Sequence, residues 1–304
     1  MIGRVVEIAE DGRHLSLERG FLVVSGKTGE VGRVPLDGIA ALIASAHGIT
    51  WSNALMLELL ERDVAVVMCG ANHAPAALLW PIAGHHAQTA RMRAQIEATE
   101  PLRKRLWQSL VKAKVLWQGA ALAALGRQDG GLTELARHVR SGDPENVEAQ
   151  AARRYWPLLM GGAFRRDPDT PGVNGLLNYG YAILRSGVAR SVAASGLHPT
   201  LGLFHRNSQN PMVLVDDLME PFRPLVDVLV ARMTAHGVES VDKEAKRSLA
   251  ALLTHDLATE EGTTPLFTVL IRLSQSLAKA YDGGEAGLAI PSPPTPLEWP
   301  IYPC

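Results

Sequence analysis

The sequence predicts an α+β protein of two domains, an N-terminal β-sandwich followed by a larger all-α domain. Three observations predict it. Up to residue 84 the apolar residues fall in short β-branched or alternating runs between turn dipeptides. From residue 85 to residue 284 they recur at helical spacing. The chain has 304 residues, a length that suits about two domains. The predicted boundaries are 1–84, 85–284, and a Pro-rich tail at 285–304.

The elements follow in order. Arg4–Ile8, Leu15–Leu17 and Phe21–Val24 read as strands, separated by the turn dipeptides Asp11-Gly12 and Arg19-Gly20. Val64–Met68 is a run of buried-strand type, and Ala76–Trp80 is a weaker one. One helix interrupts them. Ser52 is its N-cap, and Leu55, Leu59 and Leu60 share a face that excludes Glu58 and Glu61. Past residue 85, Leu102, Leu106, Leu110 and Trp117 mark one helical stripe, with Pro101 in its first turn. Asp143-Pro144-Glu145 reads as a helix start, Asp as N-cap and Pro at the first position, and that helix runs to Gly161-Gly162. Further helices are predicted at 172–194, 214–235, 242–256 and 264–281. Six of the last 14 residues are proline, which predicts an extended or mobile tail rather than a helix.

Composition excludes several classes. Apolar residues make up 47% and charged residues 20%, so the chain carries a core and is not disordered. No run of about 18 apolar residues exists, and the N-terminus lacks the apolar stretch of a signal peptide. A cytoplasmic protein with no membrane association is expected. Two cysteines, Cys69 and Cys304, exclude a disulfide scaffold and a Cys-rich metal site. The net charge of −1 argues against a nucleic-acid binder when taken as an average. It is segregated, however: residues 91–166 hold 14 Lys+Arg against 7 Asp+Glu, a local excess of +7 that would attract phosphate.

Three segments could carry chemistry. Glu148 lies on a helix with Ala151 and Ala152 at i+3 and i+4, so small residues beside the acid let another segment approach. His205 ends the run Gly202-Leu203-Phe204. In Asp216-Asp217-Leu218-Met219-Glu220-Pro221-Phe222-Arg223-Pro224, Asp217 and Glu220 are spaced i, i+3 on one face, and Asp216 is the better N-cap candidate. Two carboxylates and one imidazole suit a hard-to-borderline divalent ion, Mg²⁺ or Mn²⁺. Each residue also has a plain structural reading: a solvated helix glutamate, a hydrogen-bonded histidine, a capping acid.

Taken together, these segments resemble the CRISPR-associated protein 1 family, the integrases that insert new spacers, most closely those of type II systems. The motifs are Glu148-Ala149-Gln150-Ala151-Ala152 with Tyr155-Trp156, Asn174-Gly175-Leu176-Leu177-Asn178-Tyr179-Gly180-Tyr181, Gly202-Leu203-Phe204-His205, and Asp217-Leu218-Met219-Glu220-Pro221-Phe222-Arg223-Pro224. The resemblance implies an all-α catalytic domain with Glu148, His205 and Glu220 as catalytic metal ligands, and Asp217 as a second acidic candidate. It implies a transesterification in which a prespacer 3′-hydroxyl attacks a phosphodiester at the edge of the CRISPR repeat. His205 is read as a ligand in preference to a proton shuttle. Arg153, Arg154 and Arg206 are the phosphate contacts of this reading, and Tyr179 and Tyr181 either stack on a splayed base or orient a scissile strand, or else pack in the core with satisfied hydroxyls. The implied partners are double-stranded DNA, a second copy of the chain in a homodimer, and CRISPR-associated protein 2. Other adaptation proteins and the RNA-guided effector of a type II system extend that set. A structure-selective endonuclease acting in repair, with water as nucleophile, would use the same site. A non-catalytic DNA-binding scaffold would leave the three residues structural.

Overall fold

The computed structural model describes residues 4–62, 64–70, 75–79, 85–205, 207, 209–283 and 287–302. The N-terminal strands are β1 (Arg4–Ile8), β2 (His14–Glu18), β3 (Phe21–Gly26), β4 (Gly29–Pro35), β5 (Ile39–Ala44), β6 (Thr50–Trp51), β7 (Ala65–Cys69) and β8 (Pro75–Leu79). They form two four-stranded sheets, ordered β1-β5-β7-β8 and β4-β3-β2-β6. In the first, β1, β5 and β7 run parallel and β8 antiparallel. The second is built on antiparallel β2-β3-β4, with Glu18 opposite Phe21 across the Arg19-Gly20 turn. Helix α1 (Asn53–Glu61) is capped by the Ser52 hydroxyl, which accepts from the Leu55 amide at 3.3 Å. Leu15 and Leu22 of one sheet, Leu42 and Val66 of the other, and Leu55 and Leu59 of α1 share one apolar core.

Strands β4, β5 and the two-residue β6 are absent from the sequence expectation, the first two for physical reasons. Strand β4 is an edge strand, mostly exposed, and shows no apolar alternation. Strand β5 is interior to its sheet and parallel to both neighbours, so Ile39–Ala44 reads as a continuous apolar run without strand period. The Trp80 end of the predicted Ala76–Trp80 strand lies outside the described residues.

Beyond residue 85 the chain forms α2 (Gln88–Glu97), α3 (Glu100–Ala124), α4 (Leu132–Arg137), α5 (Val147–Met160) and α6 (Val173–Ala194). After them come α7 (Val213–Met219), α8 (Arg223–Ala235), α9 (Lys243–Ala250) and α10 (Leu266–Tyr281). A second, larger core runs through these helices and takes in Ile43 of β5. Helix α6 is its axis. A methyl group at Gly180 would collide with Val226 of α8, and one at Gly187 with Leu253, so both glycines permit close helix approach.

Five expectations are corrected. The C-terminal region is not all-α: β9 (Asp256–Thr259) and β10 (Gly262–Pro265) form an antiparallel hairpin between α9 and α10. Asp143 is not the N-cap of α5. It sits at φ 46°, Asn146 at φ 52° takes the cap position, and the helix starts at Val147. The Asp143 carboxylate still closes the helix end from outside, accepting from the amides of Val147 (2.8 Å) and Glu148 (3.0 Å). The predicted helix at 214–235 is interrupted: α7 ends at Met219, a single 3₁₀ turn spans Glu220–Phe222, and α8 begins at Arg223. Pro221 and Pro224 remove the amide donors that a continuous helix needs there. Asp216 caps nothing; Arg185 of α6 donates to both its oxygens, at 2.7 and 2.9 Å. Finally, the tail is docked rather than mobile. Trp299 is buried, its indole N–H donates to the Pro294 carbonyl, and the Trp117 indole donates to the Pro291 carbonyl.

Candidate metal and nucleic-acid site

The site gathers α3, α5, the 3₁₀ turn after α7, and the loop before α7. Glu148 lies in the first turn of α5, its backbone held by Asp143. Glu220 opens the 3₁₀ turn, the point at which the prolines break the helix. Both carboxylates meet one cation. The Lys114 ammonium lies 2.6 Å from Glu148 Oε1 and 2.5 Å from Glu220 Oε2. On its other oxygen Glu220 accepts from Arg223 Nε at 2.7 Å. Burial alone would raise the Glu220 carboxyl, but the Arg223 and Lys114 charges outweigh it and hold the group down at about 2. Burial opposes the Lys114 ammonium, and the two glutamates more than restore it, so its pKa is raised.

Lys114 is the residue that sequence reasoning missed. The signal was present. Trp107, Leu110, Val111 and Gln118 are buried on one face of α3, and position 114 falls on that same face. A lysine on a core stripe demands a buried anionic partner.

His205 is positioned by its own loop and by Asp217. The Asp217 carboxylate is fully buried and accepts three hydrogen bonds, from the Leu203 amide (2.7 Å), the Phe204 amide (3.1 Å) and His205 Nδ1 (2.5 Å). Gly202 makes this possible, because a Cβ there would press on the His205 carbonyl and on Asp217. The Phe204 ring stacks parallel on Trp107 at 4.6 Å, and the His205 ring meets Trp107 edge-on at 5.3 Å. The hydrogen bond to Asp217 is the main cause of a raised His205 pKa; burial opposes it, and the charges of Asp217, Glu148 and Glu220 add to it. With Nδ1 engaged, Nε2 is the ring nitrogen left for a ligand.

The predicted residues thus separate. The structure brings Glu148 and Glu220 onto one cation and sets His205 within their electrostatic reach. Among the described residues, no three His, Cys, Asp or Glu side chains close into a metal-holding group. Asp217 and Glu220, expected to share a face, diverge: Asp217 turns to the 203–205 loop and Glu220 to Lys114. Tyr179 and Tyr181 are not available to stack on DNA, which corrects the first alternative for both. Each is under a tenth exposed. The Tyr179 hydroxyl donates to Glu7, and Tyr181 donates to buried Asp227, which also accepts from Tyr155 at 3.0 Å. Burial raises Asp227 to about 6, against the lowering effect of those two hydroxyls. The Tyr181 ring supports the Arg223 guanidinium at 4.7 Å. Arg153 and Arg154 are exposed on α5 and form no ion pair among the described residues. Arg206 lies outside the described residues.

The donor chemistry fits a hard divalent ion. Glu148 Oε1 and Glu220 Oε2 contact the same nitrogen, so they lie at most about 5 Å apart, and a small inward shift would bring them to the roughly 4 Å that one ion with ligand distances of about 2.1 Å can span. Glu220 Oε2 is buried, and the Lys114 ammonium at 2.5 Å is its close cationic partner.

The family model described as CRISPR associated protein Cas1 matches residues 6–260. The chain belongs to the Cas1 family. It is 38% identical over 232 residues to the CRISPR-associated endonuclease Cas1 of Neisseria meningitidis, covering 76% of each chain. It is 31% identical over 299 residues to a CRISPR-associated endonuclease Cas1 of Pyrobaculum aerophilum, covering 92% of this chain and 97% of that one. Among solved structures its fold is similar to a casposase bound to integration product, with TM-score 0.78 at 18% identity, covering 93% of this chain and 92% of that one. It is also similar to a Cas1 protein from Thermotoga maritima, with TM-score 0.75 at 14% identity over 93% of this chain and 98% of that one. Those structures bear on the fold, and they agree with strands in the N-terminal region and helices beyond it. Among the described residues no helix is long and apolar enough to cross a membrane.

Proposed function

We propose that the chain is a divalent-metal-dependent DNA integrase and endonuclease of CRISPR adaptation, which joins prespacer 3′-hydroxyl ends to the CRISPR repeat by transesterification. Family membership and relatives named endonucleases support the reaction class. The observation that carries the site assignment is the convergence of Glu148 and Glu220, from distant segments, on one cation. Glu148, Glu220 and His205 Nε2 would hold Mg²⁺ or Mn²⁺. Such an ion polarises the scissile phosphate and stabilises the departing 3′-oxygen.

The remaining roles belong to the chain's own residues. Asp217 is a positioning group: by accepting from Nδ1 it fixes the tautomer and leaves the Nε2 lone pair outward for ligation. Because ligation needs neutral imidazole and the His205 pKa is raised, metal affinity rises with pH through the His205 titration. Arg223, braced between Glu220 and Tyr181, fixes the Glu220 carboxylate. Arg153 and Arg154 supply phosphate contacts from the same helix as Glu148. Double-stranded DNA, a second copy of the chain and Cas2 are the partners of this reading; one structure of similar fold is titled a Cas6-RT-Cas1–Cas2 complex.

A strand-transfer assay tests the proposal, with prespacer, repeat plasmid, Cas2 and Mg²⁺ or Mn²⁺. Joined strands are expected, and Glu148→Ala or His205→Ala should abolish them. Cut strands without joining would make the chain a hydrolytic endonuclease. DNA transactions unchanged by EDTA would leave only a binding scaffold.

A further inference from the structure

Lys114 takes part in none of the roles above, yet it occupies the centre of the site. Its side chain is 12% exposed and touches both carboxylates that the proposed function assigns to a metal. Two like-charged carboxylates, one buried and one partly buried, do not stay together without a counter-cation. The local charges balance: Glu148 and Glu220 against Lys114 and Arg223. Adding a divalent ion while the ammonium stayed between the carboxylates would set four positive charges against two acids and put like charges in contact.

We propose that Lys114 is the site's resident counter-cation: it holds Glu148 and Glu220 together before metal arrives, and divalent-ion binding displaces its ammonium from between them. This rests on the metal-site reading above. The oxygens that face the ammonium, Glu148 Oε1 and Glu220 Oε2, are the ones an incoming ion would take. Arg223 stays in place, since it donates to the opposite oxygen and is supported by Tyr181. Lysine suits the role where arginine would not, because a point charge on a flexible stem leaves more readily than a bidentate fork. Once displaced, the ammonium remains beside a centre whose net charge has risen by two, a surplus that phosphodiester oxygens would neutralise.

Two measurements on the full chain test this. The first is Mn²⁺ affinity by calorimetry or electron paramagnetic resonance, for wild type, Lys114→Met and Glu148→Gln. Methionine keeps the apolar stem and removes the charge. Lys114→Met should bind Mn²⁺ at least tenfold more tightly, while melting lower than wild type in EDTA and recovering in Mn²⁺. Unchanged or weaker Mn²⁺ binding by Lys114→Met would overturn the proposal, since a merely structural lysine gives that result. The second needs no variant: reductive methylation of wild type, read by mass spectrometry at Lys114. Labelling should be protected in EDTA and rise severalfold in saturating Mn²⁺; equal labelling in both would also overturn it. Failure of the underlying metal reading has a separate signature, in which wild type binds no Mn²⁺ or Glu148→Gln binds it as wild type does.

Discussion

Asp217→Asn is the most informative substitution that leaves every proposed metal ligand in place. Asparagine keeps one carbonyl oxygen where the carboxylate had two acceptors serving three donors. The arrangement that spares the backbone keeps that oxygen on the Leu203 and Phe204 amides and turns the side-chain NH₂ toward His205 Nδ1. Nδ1 must then accept, and the imidazole proton moves to Nε2, which removes the lone pair needed for ligation. Folding loses the difference between charge-assisted and neutral hydrogen bonds, partly offset by lower desolvation, about 1–3 kcal/mol in all. Metal affinity should fall by about 10- to 100-fold, the usual effect of losing a group that orients a ligating histidine. The pH dependence changes as well. A raised His205 pKa means the Asp217–His205 pair stabilises the fold fully below the unfolded value and loses that contribution as pH rises through the folded value. Asp217→Asn should remove this slope. Nitrogen-15 spectra of the imidazole, recorded through a pH titration, report tautomer and pKa together. An unchanged Nδ1–H tautomer and an unchanged pKa in Asp217→Asn would show that Asp217 does not set the His205 tautomer.

Other predictions follow from the same network. Tyr155→Phe removes one of the two hydroxyls on buried Asp227 and should destabilise by about 1–3 kcal/mol. Because Asp227 is raised to about 6 from 3.8, stability should decline as pH rises across that window, more steeply in Tyr155→Phe, in denaturant melts recorded at several pH values. Glu220 is lowered to about 2 from 4.5, so its contribution is present above about 4.5 and lost as pH falls toward 2. Glu220→Gln should flatten that acid limb. Trp299→Ala should cost about 3–5 kcal/mol by chemical denaturation, since the docked tail buries this ring against Trp117; a mobile tail would give no change.

The parts of the fold that could be read from the sequence were those with a clear period or punctuation. Leu55 and Leu59 behind a Ser52 cap gave α1, and the 3.6-residue stripe through Leu106 and Leu110 gave α3. Strand β5 was hidden because burial on both faces erases alternation. The break at Glu220 was signalled by Pro221 and Pro224 and became clear only with both carboxylates placed. At the site, Glu148, His205, Asp217 and Glu220 were readable as residues but not as partners. Spacing along one helix suggested that Asp217 and Glu220 pair, whereas the 3₁₀ turn rotates Glu220 toward α3. Lys114 belongs to no quoted motif, and only its place on a core stripe marks it. The local excess of basic residues is partly internal: Lys114 serves the site, Arg127 binds the Leu158 and Leu159 carbonyls, and Arg166 holds Asn174 and Asn178. Arg153 and Arg154 are among those left exposed.

Glu148, Glu220 and His205 are proposed to hold one divalent ion. The most direct test is a crystal of the full chain soaked in Mn²⁺ and measured at the manganese absorption edge. One anomalous peak is expected, touching Glu148 Oε1, Glu220 Oε2 and His205 Nε2 at about 2.0–2.2 Å, with the Lys114 ammonium moved away. A peak elsewhere, or none with Lys114 still bridging the two glutamates at saturating Mn²⁺, would contradict it.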